Sequence, residues 1–267
     1  MTRPDWSPPE IDIEKPSAAR VYDYLLGGSH NFAADRHFAE QAIAAMPDVR
    51  ITSRANRAFL YRAVRYLVTA GVRQFLDIGS GIPTSGNVHE VAQRQAPDAS
   101  VVYVDLDPVA VTHSRMILAG NNRVGVVQAD LRDPDTILSH PDLHAVLDLD
   151  QPVGLLLVAI LHVIPDAHDP AGIVARLRDA LAPGSYLVIA HGTADSRPAE
   201  TARLRELSKN TPTPITHRSR DQVAQFFAGW DLVDPGLVWA PQWRSDAGDD
   251  VEHPERSSNY VCVARKP

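Results

Sequence analysis

Residues 74–83, QFLDIGSGIP, decide how this chain folds. Phe75 to Ile78 reads as a short buried strand, and Gly79-Ser80-Gly81 breaks it. A glycine turn leaving a parallel strand lets a ligand lie against bare backbone. Asp77, one residue before the strand ends, is a carboxylate set beside a buried sheet, where an unpaired charge is costly.

Downstream the same rhythm repeats. RQFLDIGSG, SVVYVDLDP, VGVVQADL, VGLLLVAIL and GSYLVIAHG are short runs rich in Val, Ile and Leu, separated by helical stretches at 85–95, 108–119, about 133–140 and 169–182. Strands apolar on both faces and alternating with helices predict a parallel sheet covered by helices, and right-handed crossovers make it a doubly wound α/β fold. Upstream, residues 17–70 read as three helices. The first carries Val21, Tyr24 and Leu25 and stops at Gly27-Gly28, the second runs from near Asn31 to before Pro47, and the third runs from about Ser53 to Gly71. In the last third, helices near 197–207 and 219–228 lead into WDLVDPGLVWAPQW and then NYVCVARKP. Two strands with no helix between them predict an antiparallel hairpin closing the sheet. The expected division is an extended or disordered lead-in over 1–16 and one domain over 17–267, with 17–70 a helical cap and 71–267 the ligand-binding core.

Composition narrows the function classes. The chain has 267 residues, 44% hydrophobic and 22% charged, with a net charge of −7. No cluster of Lys and Arg suggests a nucleic-acid footprint, so no nucleic-acid partner is expected. The apolar run at 153–164 is far short of the ~20 residues of a membrane helix, and no membrane association is expected. Cys262 is the single cysteine, which excludes an internal disulfide and, lying in an alternating strand-like segment, reads as a buried structural thiol. No leader segment is apparent, and a cytoplasmic location is expected. No His/Cys cluster has metal-ligand spacing, so no metal is expected.

Which ligand rests on the glycine turn? The dinucleotide pattern G-x-G-x-x-G/A meets Thr84 at its third small position, after Pro83, so the following helix cannot start at once. A nicotinamide cofactor therefore fits poorly. S-adenosyl-L-methionine has no phosphates and needs backbone and a carboxylate beside its amino-acid part, a carboxylate for its ribose diol, and hydrogen bonds to adenine. Asp77 with Gly79, Ser80 and Gly81 suits the first need. Asp105, ending the second strand, suits the ribose, with Leu106 as an apolar rest for adenine. Asp130, ending the third, suits the adenine amino group, with the Leu131 N–H on a ring nitrogen. The competing reading makes Asp130 and Asp105 helix caps.

FLDIGSG, VVYVDLDP and VQADL resemble motifs I to III of the class I S-adenosylmethionine-dependent methyltransferases. RVYDYLLGGSHNFAADR, RANRAFLYRAVRYL, RQFLDIGSGIPT and VHEVAQ resemble, more specifically, a chiefly actinomycete methyltransferase family first catalogued as a domain of unknown function; the similarity spans about 15–265. The resemblance implies a Rossmann-like, seven-stranded sheet with a terminal hairpin and an N-terminal helical lid. It adds Arg54, as a partner for the cofactor carboxylate, and Ala159 at the end of the fourth strand. Tyr22, Asn31 and Asp35 belong to the N-terminal string, in which Gly27-Gly28 is either a lid hinge or a plain helix–helix turn. If the acceptor needs a base, His162 or His191, each at a strand end, is the candidate. The expected reaction is methyl transfer to an oxygen or nitrogen of a small molecule. A non-catalytic cofactor-binding sensor is the alternative, with a nicotinamide-dependent oxidoreductase behind it.

Overall fold

The computed structural model describes residues 12–83, 86–249 and 251–267; most of the expected lead-in and Thr84 lie outside them. Three helices open the chain: α1 (Ala18–Leu25), α2 (Ala33–Ala45) and α3 (Val49–Thr69). The third begins one turn before the expected Ser53, because the Thr52 N–H already reaches the Asp48 carbonyl and the Ser53 hydroxyl bonds back to Val49.

Then strands and helices alternate: β1 (Gln74–Ile78), α4 (Val88–Gln95), β2 (Ser100–Asp105), α5 (Pro108–Ile117), β3 (Val124–Gln128), α6 (Pro134–Leu138), α7 (Pro141–His144), β4 (Val153–Val158), α8 (Pro170–Asp179) and β5 (Tyr186–Gly192). Helices α9 (Pro198–Ser208) and α10 (Arg220–Gln225) precede β6 (Asp231–Leu232), β7 (Val238–Trp239) and β8 (Asn259–Arg265). The sheet order is β3-β2-β1-β4-β5-β8-β6, with β7 also on β8. The pairs among β1 to β5 are parallel, and β8 runs antiparallel to β5, β6 and β7. Eight strands thus fill seven places. WDLVDPGLVW, which reads as one strand, is split because Pro235 has no N–H for the ladder and Gly236 turns back onto the Val233 carbonyl.

Strand alternation divides the core into two layers. Leu76, Val102, Leu155, Leu187 and Ile189 face α6, α8 and α10, while Phe75, Val101, Leu156 and Val188 face α3 and α4. Asp77 shares the parity of Phe75 and so points toward α3. Cys262 is fully buried in β8, and burial pushes its thiol up to about 12, which leaves it chemically quiet. Among the described residues no helix is long and apolar enough to cross a membrane.

Candidate active site

A cavity of about 720 Å³ opens at the C-terminal ends of β1, β2 and β4, within the ~300–1,000 Å³ of small-molecule sites. Its floor is the glycine turn. Gly79 and Gly81 have φ of +74° and +68°, a region that L side chains rarely adopt. A Cβ on Gly79 would come within 2.6 Å of the Ile160 side chain, whereas one on Gly81 would meet nothing within 4 Å. The turn is pinned from β2: the Gly79 and Ser80 N–H groups donate to the Val104 carbonyl, and the Gly81 N–H donates to Asp105 Oδ2 at 2.8 Å. Asp105 Oδ1 accepts from the Asp107 N–H, also at 2.8 Å. The cap of α5 is Asp107, not Asp105.

Asp77 and Asp105 stand at neighbouring strand ends. Burial, opposed by the Arg57 charge and aided by Asp105, pushes Asp77 up to about 7. Burial also lifts Asp105 to about 6, against its backbone hydrogen bonds from Asp107 and Gly81. Two carboxyl groups held this high in a cavity mark a candidate functional site.

Asp130 and Leu131 line the same wall, and Leu106, half exposed, projects beside them. Asp130 caps no helix, since Asp133 caps α6. It is gripped instead by Arg132, whose Nε and Nη2 reach its carboxylate at 2.9 and 2.5 Å and hold it below the usual carboxylate range. Ala159, at φ +61°, lines the cavity where β4 ends and donates its N–H to the Ala190 carbonyl.

From above, α3 contributes Ser53, Asn56, Arg57 and Leu60, an i, i+3, i+4, i+7 stripe. Arg54 lies about 110° round the helix from that stripe and is exposed, so the arginine at the site is Arg57. The stripe spacing separates the two only once the crossing of α3 over the sheet has set which face overhangs the cavity. Tyr22 lines the cavity, donating to the Ser53 carbonyl at 3.1 Å and accepting from Asn56 Nδ2 at 2.8 Å. Asn31 stays outside the cavity wall. Its amide donates to Asp23 and to the Gly28 carbonyl, and its oxygen accepts from Arg36, so it fixes the α1–α2 turn. Asp35 is likewise structural, accepting from the Ser17 and Phe32 N–H groups and from Arg20.

The two histidines part company. His191 follows Leu187 and Ile189 on one strand face, so it turns away from the cavity and stacks on Phe226. Its Nδ1 bonds the Gly192 carbonyl and its Nε2 meets Arg218 Nη1, both at 2.8 Å. Carbonyls only accept and guanidinium only donates, so the ring is neutral with both nitrogens committed. His162 does line the cavity; its Nδ1 is buried without a partner, and burial drives its imidazole down to about 3. His217, unexpected from the sequence, joins it on the wall at about 4, again through burial. Arg218 organises both: it donates to the Leu161 and Ile164 carbonyls and to Asp166, while the Thr216 N–H donates to the His162 carbonyl.

Comparisons with known proteins agree with this architecture. The model of the S-adenosyl methyltransferase family matches residues 4–267. The crystal structure of a DUF574 family protein from Streptomyces avermitilis is similar at 42% identity and TM-score 0.92, covering 96% of this chain and 99% of that one. A candidate methyltransferase from Thermobifida fusca is similar at 40% identity and TM-score 0.92, covering 98% and 99%. The N-methyltransferase NodS from Bradyrhizobium japonicum, in complex with S-adenosyl-L-homocysteine, shares the fold at 14% identity and TM-score 0.50, covering 81% and 88%. Among curated proteins nothing matches.

Proposed function

The chain belongs to the S-adenosyl methyltransferase family, and from that premise we propose that it transfers the methyl group of S-adenosyl-L-methionine to an oxygen or nitrogen of a small molecule. The observation that carries the reading is Asp105, tied to the Gly81 N–H at the mouth of a cavity that a Gly79 side chain would distort. The residues fit this cofactor: bare backbone at 79–81, two carboxyl groups that burial has left partly protonated, and an apolar ledge at Leu106.

On this reading Asp105 accepts from the ribose diol with the lone pairs its backbone bonds leave open. Asp77 ionises beside the cofactor ammonium, and Arg57 takes the carboxylate. Leu106, Asp130 and Leu131 hold the adenine, and Ala159 and Tyr22 close the sides. When bound, the cofactor supplies an electrophilic methyl on a sulfonium. The chain's own work is to align the acceptor with it and exclude water. His162 stays neutral across physiological pH and accepts a hydrogen bond from the acceptor. A ring held so low takes the proton only as the new bond to methyl makes it acidic. His191 has no part in this, having no free nitrogen.

Methyl-labelled cofactor incubated with the protein and a panel of phenols, catechols and amines tests the proposal. Label should pass to at least one small molecule, and to no nucleic acid. Cofactor binding with no transfer across the panel would overturn the catalytic reading in favour of a sensor.

A further inference from the structure

The cavity has two chemically different ends. Toward the strand ends it is lined by charge, through Asp77, Asp105, Asp130, Arg57 and their neighbours. The other end lies between α1, α2, the start of α3 and α9. There Leu25, Ala42, Met46, Val49 and Leu204 form one apolar cluster, with Phe38 and Ile215 packed on it. No Asp, Glu, Lys or Arg lines the cavity from α2, α9 or residues 211–217, and the one charged lining residue of α1, Arg20, is paired with Asp35 and Asp107. The polar groups there are hydroxyls, the Asn56 amide and two imidazoles, and Thr52 Oγ1, Asn56 Oδ1 and His162 Nδ1 are buried with no hydrogen-bond partner.

Resting on the proposed function, we infer that this second end is the acceptor subsite and that it takes an uncharged, largely apolar ring compound bearing a hydroxyl or amine. A carboxylate or phosphate there would meet Arg20 only where it is already paired with Asp35 and Asp107, and Arg57 only on the side of the cofactor, so its burial would be poorly compensated. A neutral hydroxyl meets imidazoles that burial holds unprotonated, at about 3 for His162 and about 4 for His217. The segment 211–217 fixes the subsite's shape. Ser208 Oγ accepts from the Ile215 N–H at 2.9 Å, the Thr211 N–H donates to the Ser208 carbonyl, and the Thr216 N–H anchors to His162 at 2.7 Å. Specificity for the acceptor therefore resides in α2, α9 and this segment, apart from the cofactor-binding residues.

The test uses two probes of equal size, 1-naphthol and 1-naphthoate, titrated calorimetrically into the full-length protein saturated with S-adenosyl-L-homocysteine. The neutral phenol should bind at least ~10-fold tighter than the carboxylate. Thr213→Arg, on the partly exposed wall of the subsite, should narrow or invert that ratio while leaving the affinity for S-adenosyl-L-homocysteine within about twofold and the melting temperature close to wild type. Equal or tighter binding of naphthoate, no binding of either probe, or a ratio that Thr213→Arg leaves unchanged would overturn the assignment. Failure of S-adenosyl-L-homocysteine itself to bind would instead overturn the function on which it rests.

Discussion

Asp77 and Asp105 carry a pH signature that follows from where they sit. Asp77 is raised to about 7 and Asp105 to about 6, burial being the main cause for both. The groups facing them are Arg57, Asp107 and Tyr103. Between the ordinary carboxylate value and about 7 the folded chain binds more protons than the unfolded one, so these groups make stability fall as pH rises through that window. Asp77→Asn should remove part of this slope: melting temperatures of wild type and variant should diverge between pH 4.5 and 7.5, with wild type losing more. An ammonium group beside Asp77 and hydroxyls donating to Asp105 favour the ionised carboxylates, so a ligand that brings both releases protons on binding. The affinity for S-adenosyl-L-homocysteine should therefore rise by at least ~10-fold from pH 5 to pH 7.5 and then level off, because each proton that must leave costs about tenfold in affinity for every pH step of one below the group's own value. A flat profile by calorimetry would refute the assignment of these carboxyls to the ammonium and ribose.

Among elements, β1 with its turn was readable from the chain because two constraints coincide there, an apolar run and glycines at positive φ. The two glycines differ in consequence. Gly79→Ala forces a Cβ against Ile160 as well as straining the backbone, while Gly81→Ala only strains it. Chemical denaturation should show Gly79→Ala the more destabilising by about 1–3 kcal/mol. Helix α3 was less readable. Its apolar positions Phe59, Ala63 and Leu67 mark the face on the sheet. Which end of that face overhangs the cavity depends on how α3 crosses β1 and β4, a long-range fact that local spacing does not contain. The same holds for His217, brought to the site by Arg218 from 54 to 57 residues away in sequence. His191, expected as a possible base, lies instead on the buried face with Leu187 and Ile189, a strand parity that its place at the strand end hid. Arg57→Ala should weaken cofactor binding by ~10-fold or more, and Arg54→Ala should leave it unchanged, as expected for loss of a charge-assisted bond at one site and not the other.

At the scale of the molecule, Arg20 joins the N-terminal helices to the core. It pairs with Asp35 at 2.9 Å and Asp107 at 3.3 Å, and donates to the Lys15 carbonyl, all in a nearly solvent-free setting. Arg20→Ala strands two carboxylates and should lower stability by about 3–5 kcal/mol in urea. The doubly wound sheet and its antiparallel close were written in the alternation of strands and helices and in the missing helix before β8. The split of the seventh place and the apolar end of the cavity were not, because both arise where distant segments meet. On the proposed function, the strand ends bind S-adenosyl-L-methionine. Calorimetry of the full-length protein against S-adenosyl-L-homocysteine and NADH, with Asp105→Ala alongside, tests it most directly. S-adenosyl-L-homocysteine should bind the wild type and NADH should not. The variant should bind at least ~10-fold more weakly, losing two charge-assisted bonds of roughly 1.5–3 kcal/mol each, and should also melt lower because the Gly81 and Asp107 N–H groups lose their acceptor. Binding of NADH in place of S-adenosyl-L-homocysteine, or an Asp105→Ala variant with undiminished affinity, would contradict it.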